Sequence, residues 1–344
     1  MKSRPCCALL TLVWALPAAA QDDCVFLHDG TRVDAVRVDS YDVHSLRYSK
    51  GGSNTVAADQ VTKVTLGRFS DVYRAGLEEE ARMLTLARDQ LAAKNALLAQ
   101  LGFLGAAARL FDAGEPAKAT GVLEELQQAI PDAGVLPELY RRKFEYYLSL
   151  GAPGARDAAQ VARQYQSAAV SGSWPGGFVA EAGFFLVLAE PDRADFEGKL
   201  RAVVAKSDAA PLIASRARIE LAHCLRKKKD FEAARRLYDE VQNRDVVDAN
   251  SRAGALLGLG LLLRDQQKGP DTAVFKQALL LFLRVRLETR EARAGLQAEA
   301  LYHAIVAADK WRGPEYTLIM GRCRRLLLDE FPSTEWARLA KGGF

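Results

Sequence analysis

The sequence has few of the residues from which catalytic and metal sites are usually built. It contains four histidines in 344 residues, and none of them belongs to a paired-histidine zinc motif. It lacks the Gly-x-Ser-x-Gly, Ser-x-x-Lys and Cys-x-x-Cys patterns and any glycine-rich phosphate loop. We therefore predict that the protein is not an enzyme, and we expect no catalytic residues, no metal site and no bound cofactor.

Cysteine is scarce as well. Of the five cysteines, Cys6 and Cys7 lie in an apolar N-terminal segment, which leaves Cys24, Cys224 and Cys323 in the rest of the chain. This number and spacing do not make a disulfide framework, and a chain of this length buries enough apolar surface to fold without one. Because Cys224 and Cys323 lie in apolar helical stretches, we predict that both are core thiols.

Neither sign of charge is in clear excess. Lys2 and Arg4 belong to the N-terminal segment, and without them 45 basic residues stand against 43 acidic ones. Proteins that bind nucleic acid or an anionic membrane surface usually carry a clear positive excess. The balance therefore predicts neither partner.

The N-terminal apolar run is too short to cross a membrane. Lys2 and Arg4 precede the run Ala8 to Leu16, and the small residues Ala18 to Ala20 follow it. A spanning helix needs roughly 18 or more apolar residues, whereas a positive start, a short apolar run and a small-residue end are typical of a secretory signal peptide. We predict a signal peptide at 1–20, cleavage before Gln21, and an exported protein, periplasmic or extracellular, with no integral membrane span in the mature chain.

Strand periodicity follows in residues 21–67. Apolar and polar residues alternate over short runs from Cys24 to Leu66, and Asp29-Gly30 is a strong hairpin signal. A second tight turn is expected at Ala58 to Gln60. The segments Val25 to Thr31 and Thr55 to Val61 resemble those of SH3-like or Sm-like barrels that precede helical repeats in some exported bacterial proteins. The resemblance implies a small five-stranded β-barrel.

From Phe69 onwards the pattern is helical, and the window Gln100 to Pro131 is its most regular part. The small residues Ala106 and Ala107 precede Leu110; Ala119, Leu123 and Leu126 follow beyond a turn at 112–115, and Pro131 ends the window. Two amphipathic helices that cross closely explain this order. The spacing resembles the tetratricopeptide repeat (TPR), a module that binds proteins, and this resemblance implies an α-solenoid.

Other pairs of helical segments extend the repeat. Ala222, Leu225, Ala234, Tyr238 and Val241 stand at nearly the same spacing as the first window, and the C-terminal residues 330–337 resemble common endings of such hairpins. With the degenerate pairs between and after these segments, we predict about six hairpins. Gly258-Leu259-Gly260, a fragment of a dinucleotide-binding motif, lies inside a helical segment, which predicts close helix packing instead of cofactor binding.

These patterns together predict a mostly α protein. Its expected parts are a signal peptide at 1–20, a small barrel at 21–67, a connecting helix at 68–99 and a TPR-like repeat domain at 100–344. The connecting helix is interpreted as a simple connector or cap. The expected function is that of an exported protein-protein interaction scaffold of the cell envelope, which binds a protein or peptide partner.

Partner binding is expected on the first helix of each hairpin, because that helix lines the concave side of a superhelix. In the hairpin around Ala222, the candidate residues are Arg216, His223, Arg226 and Lys227, which fall near one helical face. They could cradle an acidic peptide or a C-terminal carboxylate. The alternative is a solvated helix end, where cations are favoured by the helix dipole.

Two further alternatives stay open. The inner face of the first hairpin carries Leu101, Leu104, Ala108 and Phe111, which either bind a hydrophobic peptide or pack on the connecting helix. The second concerns the whole protein, which could instead bind glycan or cell wall through its barrel, with the repeats as a spacer. Glycan binding needs exposed aromatic platforms, and the barrel's aromatic residues are Phe26, Tyr41 and Tyr48.

Overall fold

The computed structural model describes most of the chain. The described residues are 22–73, 79–113, 115–189, 195–205, 211–244, 247–267, 269, 272–332 and 334–342. The predicted signal peptide at 1–20 lies outside them.

The N-terminal part is a five-stranded antiparallel sheet. Its strands are β1 (Asp23–Leu27), β2 (Arg32–Tyr41), β3 (Ser45–Ser49), β4 (Ser53–Ala57) and β5 (Val61–Thr65). They are arranged in the order β4-β3-β2-β1-β5. The predicted turn at Asp29-Gly30 joins β1 to β2, and Gly30 has φ +84°, a conformation that glycine adopts without steric cost.

The prediction that this sheet closes into a barrel is wrong. Among the described residues, β4 and β5 lie at opposite edges, and no ladder joins them. The ten-residue β2 pairs with β1 through its first half and with β3 through its second, while the other strands have five residues each. Closure into a barrel requires every strand to pair on both sides. Here the 3-10 turn Ala58–Gln60 carries the chain from β4 at one edge to β5 at the other, so the sheet stays open.

Helices and the loops that connect them make up the rest of the described chain. In chain order they are α1 (Phe69–Tyr73), α2 (Glu80–Ala92), α3 (Ala96–Asp112), α4 (Pro116–Ala129), α5 (Leu136–Ser149), α6 (Ala155–Ser171), α7 (Gly176–Ala189), α8 (Phe196–Ala205), α9 (Pro211–Lys227), α10 (Phe231–Gln242), α11 (Ala249–Gln266), α12 (Ala273–Glu288), α13 (Ala294–Trp311), α14 (Tyr316–Glu330) and α15 (Glu335–Lys341). The protein is therefore mostly α with a small sheet, as predicted.

The helices from α3 to α14 form six consecutive hairpins within the described part of the chain. The first is the window from Gln100 to Pro131, where α3 ends at Asp112 and α4 begins at Pro116. Pro116 is favoured there because the first helical residue needs no amide hydrogen, and the hairpin buries Ala106, Ala107 and Ala119 completely. The sequence periodicity thus located the hairpins correctly.

The expected connecting helix is interrupted. α2 ends at Ala92, and Lys94, with φ +60°, turns the chain before Asn95 caps α3 by accepting a hydrogen bond from the Leu98 amide. α2 therefore packs back along α3, with the Met83 side chain against Gly105. The boundaries at 67/68 and 99/100 stay predictions about domains.

The sheet is docked on the first hairpins through backbone and side-chain hydrogen bonds. The Val43 amide donates to the carbonyl of Asp132 at 2.9 Å, and Gly177 donates its amide to the Asp59 carboxylate at 2.9 Å. The Gln100 side chain donates to the Tyr41 carbonyl and accepts from the Val135 amide. These bonds place the turns of the sheet at the ends of α5 and α7.

Glycines allow the later helices to approach closely. A Cβ on Gly258 would lie 2.3 Å from the Tyr238 ring, and one on Gly260 would lie 2.5 Å from the Phe282 ring. This confirms the prediction that the pair serves helix packing. α11 is apolar around its circumference, and residues 253–262 are all buried, as expected for a helix with neighbours on every side.

Candidate binding site

The first helices of successive hairpins form one continuous layer. α3 contacts α5, α5 contacts α7, α7 contacts α9, α9 contacts α11, and α11 contacts α13. We call it the inner layer, because helices on the concave side of a curved solenoid approach one another more closely than those on the convex side. This inner layer is the place where the sequence predicted partner binding.

A largely buried network of ion pairs and hydrogen bonds crosses the inner layer. We call it the Glu181 network, and its members are Glu138, Arg141, Arg142, Tyr165, Glu181, Arg216 and Asp248. On α5, residues 138, 141 and 142 are three and four positions apart, which places them on one helical face. The network joins α5, α6, α7, α9 and the start of α11.

Glu181 lies at the centre of the network, and its side chain is 3% exposed. Its carboxylate accepts two hydrogen bonds from Arg141, both at 2.8 Å, one from Arg216 at 3.1 Å and one from the Tyr165 hydroxyl at 2.9 Å. Burial alone would raise the pKa of Glu181, but Arg141 and Arg216 hold it below its ordinary value. Glu181 is therefore a charged structural centre.

Asp248 anchors the network to α11. Its carboxylate caps the helix by accepting from the Ser251 amide at 3.1 Å and hydroxyl at 2.7 Å, and the Arg216 Nε lies 3.7 Å away. Although burial opposes ionisation, Arg216 and these hydrogen bonds lower the pKa of Asp248. A separate ion pair, Arg293 to Glu145 at 2.8 Å, links the start of α13 to α5.

The structure separates the four residues predicted to bind a partner. Arg216 belongs to the Glu181 network, and its side chain is 19% exposed. Arg226 lies ten positions further along α9, about 15 Å at the rise of an α-helix, and forms an ion pair with Asp265 of α11. Lys227 follows as an exposed cation. Arg216 therefore lies apart from Arg226 and Lys227 along α9, and the shared binding site stays a prediction.

His223 points into its own hairpin. Its Nδ1 is hydrogen-bonded to the Tyr238 hydroxyl of α10 at 2.8 Å. Burial, together with the nearby charges of Arg226 and Lys227, lowers the pKa of His223 to about 3. His223 is therefore neutral at pH 7 and adds no positive charge to a cradle.

A second group of ionisable side chains lies on α11 and α13, where the sequence interpretation placed no site. Arg264 approaches the His303 Nδ1 at 3.3 Å, and the His303 Nε2 lies 3.9 Å from the Glu299 carboxylate. Burial raises the pKa of Glu299 to about 7, although the nearby charge of Arg226 lowers it. Burial lowers the pKa of His303 to about 4. The four-residue spacing of Glu299 and His303 is the only sequence signal for this pair.

A cavity of about 760 Å³ lies between the sheet and α3. Its helical wall is the apolar inner face of the first hairpin, with Leu101, Leu104, Gly105 and Ala108. The opposite wall belongs to β1, β2, β5 and the start of α1, and includes Phe26 and Leu66. We call this space the sheet–α3 cavity. Three of the four residues predicted as this inner face therefore line it, and Phe111 instead lies near the Tyr146 ring.

The polar groups around the sheet–α3 cavity differ in their hydrogen bonding. The Asp23 carboxylate accepts from the amides of Val38 and Gly67, and Asp34 accepts from Cys24 and Arg32. Asp22 is exposed and lines the cavity. Arg142 reaches the cavity from α5, and within the described residues the only hydrogen bond of its side chain is from its Nε to Glu138, at 2.9 Å.

The aromatic side chains of the sheet are partly covered. Tyr41 lies against Gly134, and Tyr48 packs against the apolar core. Phe26 has the Arg32 guanidinium 5.3 Å and the Lys63 ammonium 5.7 Å from its ring centroid. All three side chains are partly buried.

The described residues contain no group of three or more His, Cys, Asp and Glu side chains placed to hold a metal ion. Within the same part of the chain, no helix combines the length and apolar character needed to cross a membrane. Cys24 and Cys323 are buried thiols, and Cys224 is half-buried.

No protein-family model matches the chain, and no curated protein matches it significantly.

Proposed function

We propose that this chain is an exported, non-catalytic scaffold of the bacterial cell envelope that binds a protein or peptide through a TPR-like superhelix. The observation that carries the proposal is the continuous inner layer formed by the first helices of six consecutive hairpins in the described chain. Stacked helical pairs of this kind present extended surfaces to other proteins. The spacing in the window Gln100 to Pro131 supports a TPR-like repeat, and the strand pattern supports an SH3-like or Sm-like origin for the open sheet.

The contacts of the predicted residues on α9 support a smaller site than the four residues together. Arg216 and His223 are engaged within the fold, and Arg226 is paired with Asp265. Lys227 is the exposed cation of the predicted four. We therefore propose that a partner contacts the surface at Lys227 near the Arg226–Asp265 pair, and that an acidic segment of the partner binds there.

Site-specific photo-crosslinking tests this contact. A photoreactive residue replaces Lys227 in the mature chain, and a matched control replaces Arg163, which is exposed on the second helix α6. After irradiation in an envelope extract, we expect a discrete adduct from position 227 that is missing from position 163, and we expect an added acidic peptide to compete with it. Adducts from position 163 alone, or equal labelling at both positions, would contradict the proposed surface.

Export is tested separately. The full chain is produced in a bacterial host, and the N terminus of the accumulated protein is sequenced. We expect cleavage before Gln21, since the small residues Ala18 to Ala20 suit signal peptidase, and we expect Ala18→Arg and Ala20→Arg together to block it. A protein that retains residues 1–20 in the cytoplasm would refute export without bearing on partner binding.

Glycan binding, the alternative function, stays a prediction. It requires aromatic faces that a sugar ring can reach, and Phe26, Tyr41 and Tyr48 each contact other parts of the protein. The inner helical layer favours the scaffold.

A further inference from the structure

We propose that the sheet–α3 cavity binds a small amphiphile, a medium-chain alkyl group that ends in a carboxylate. This inference goes beyond the scaffold function, because it concerns a different surface from Lys227. It rests on the cavity's size, the chemistry of its walls and the unused hydrogen-bond donors of Arg142.

The size of the cavity suits a small molecule. Its volume is about 760 Å³, within the roughly 300–1,000 Å³ typical of pockets that enclose such ligands. Side chains from β1, β2, β5, α1, α3 and α5 contribute to its lining.

The walls suit a hydrocarbon chain better than a peptide. Leu101, Leu104, Gly105 and Ala108 of α3 offer no side-chain hydrogen-bonding group, and Phe26 and Leu66 lie on the opposite wall. The amide and carbonyl groups of a peptide that lay along this α3 wall would find no side-chain partner there, which costs about 1–3 kcal/mol for each group. An alkyl chain has no such groups and gains free energy from every methylene that it buries.

Arg142 supplies charge complementarity for a carboxylate. Its Nε donates to Glu138, while its two terminal amino groups make no hydrogen bond within the described chain. The arrangement of guanidinium donors matches the two oxygens of a carboxylate. Among the acids of the lining, Asp23 and Asp34 already accept hydrogen bonds from the protein, and Asp22 is exposed to solvent. Arg32, the other cation of the lining, is paired with Asp34 and lies over the Phe26 ring. The carboxylate end therefore binds at Arg142, with the alkyl chain along α3.

Isothermal titration calorimetry of the wild-type protein tests the ligand class. Dodecanoate is titrated below its critical micelle concentration, beside dodecanol, dodecylammonium and a short peptide with apolar C-terminal residues. We expect saturable binding of one dodecanoate, at least about tenfold tighter than dodecanol, because dodecanol lacks the charge that pairs with Arg142. The proposal is overturned by no saturable binding, by equal affinity for all three alkyl probes, or by binding of the peptide but not of dodecanoate.

Variants locate the site. Arg142→Gln should weaken dodecanoate binding about tenfold and remove its advantage over dodecanol, whereas Arg163→Gln on α6 should change neither. Ala108→Leu fills the cavity from the α3 wall and should weaken both ligands. Thermal unfolding confirms that each variant is folded. If a variant does not fold, the comparison of ligands on the wild-type protein still decides the question. If folded Arg142→Gln and Ala108→Leu proteins bind dodecanoate as tightly as the wild type, the ligand binds elsewhere. The crosslinking result at Lys227 does not depend on this outcome.

Discussion

Glu181 carries a buried negative charge between Arg141 and Arg216. Glu181→Gln removes that charge and leaves both guanidinium groups without their central counter-charge, so we expect a loss of about 3–5 kcal/mol in the free energy of unfolding. Urea denaturation at pH 7 measures the loss. The matched control is Glu125→Gln, which breaks the exposed pair with Arg88 and should cost less than about 1 kcal/mol. Equal losses in the two variants would show that the Glu181 network stabilises the fold no more than an exposed ion pair does.

The Glu181 network also gives a pH dependence. Because the folded-state pKa of Glu181 lies below its ordinary value of 4.5, its stabilising effect is complete above about that pH. It is lost as the pH falls through the folded-state pKa. The difference in stability between wild type and Glu181→Gln should therefore shrink below pH 4.5.

The contribution of Glu299 to stability depends on pH in the opposite direction. Its pKa is raised from 4.5 to about 7, so its contribution to stability is complete below pH 4.5 and is lost as the pH rises through 7. Arg226, Arg264 and Glu220 are the nearby charges, and His303 has a pKa of about 4. At pH 5 the neutral acid resembles glutamine, whereas at pH 8 the wild type holds a poorly solvated carboxylate.

We therefore expect Glu299→Gln to raise the unfolding temperature at pH 8 and to change it little at pH 5. Thermal melts at the two pH values measure this difference. Glu288→Gln provides a control, since Glu288 is paired with Arg284 at the surface and its pKa is lowered. The same shift at pH 5 and pH 8 for Glu299→Gln would contradict the linkage.

At the scale of the element, α11 depends on glycine for its position. Gly258→Ala would place a Cβ 2.3 Å from the Tyr238 ring, so α11 and α10 would have to move apart. We expect a loss of about 1–3 kcal/mol in the free energy of unfolding, typical of overpacking. Chemical denaturation gives the value.

Gly183→Ala is the matched helical control. Gly183 lies in α7, and a Cβ there meets nothing within 4 Å. Alanine favours a helix interior over glycine by about 1 kcal/mol, so this variant should be neutral or more stable. If both alanine variants were stabilising, the close approach of α11 to Tyr238 would be wrong.

Local sequence signals explain several element boundaries. Asn95, Asp230, Asp248 and Thr334 accept hydrogen bonds from amides at the starts of α3, α10, α11 and α15. Pro116 begins α4, and Gly30 turns β1 into β2. These signals act within a few residues, which is why the hairpins could be located from sequence. The break between α2 and α3 was missed because apolar periodicity continues across Lys94.

At the scale of the whole molecule, Gln100 couples the sheet to the helices. Its side chain is 2% exposed and joins the Tyr41 carbonyl to the Val135 amide. Gln100→Leu leaves two backbone groups without their partner, so we expect a loss of about 2 kcal/mol or more. Hydrogen exchange should show faster exchange of amides in β2 and β3.

Gln127→Leu is the comparison for this variant. Gln127 is half-buried, and its side chain bonds only to the Tyr140 hydroxyl among the described residues, so its replacement should have a smaller effect and leave exchange in the sheet unchanged. Equal exchange in the sheet for both variants would show that Gln100 does not couple it to the helices.

The candidate sites were less predictable than the fold. The sequence placed Arg216 beside Arg226 and Lys227 because it considered α9 alone. The structure pairs Arg216 with Glu181, a residue 35 positions away, and Arg226 with Asp265, 39 positions away. Similarly, the apolar face of Leu101, Leu104 and Ala108 was recognisable, but the opposite wall of the cavity comes from residues 22–69. Charge pairing and cavities depend on contacts that are distant in sequence.

The sequence by itself determined the class of this protein: short alternating strands, then helical hairpins whose ends are set by caps, prolines and glycines. Those features depend on periodicity and on hydrogen bonds between near neighbours. Only the tertiary structure decided that the sheet stays open, that Arg216 is engaged in a buried network, and that a cavity lies between the sheet and α3. These outcomes depend on how separate elements meet, because the pairing of a charge and the filling of a space are set by whichever side chains the packed helices and strands bring together.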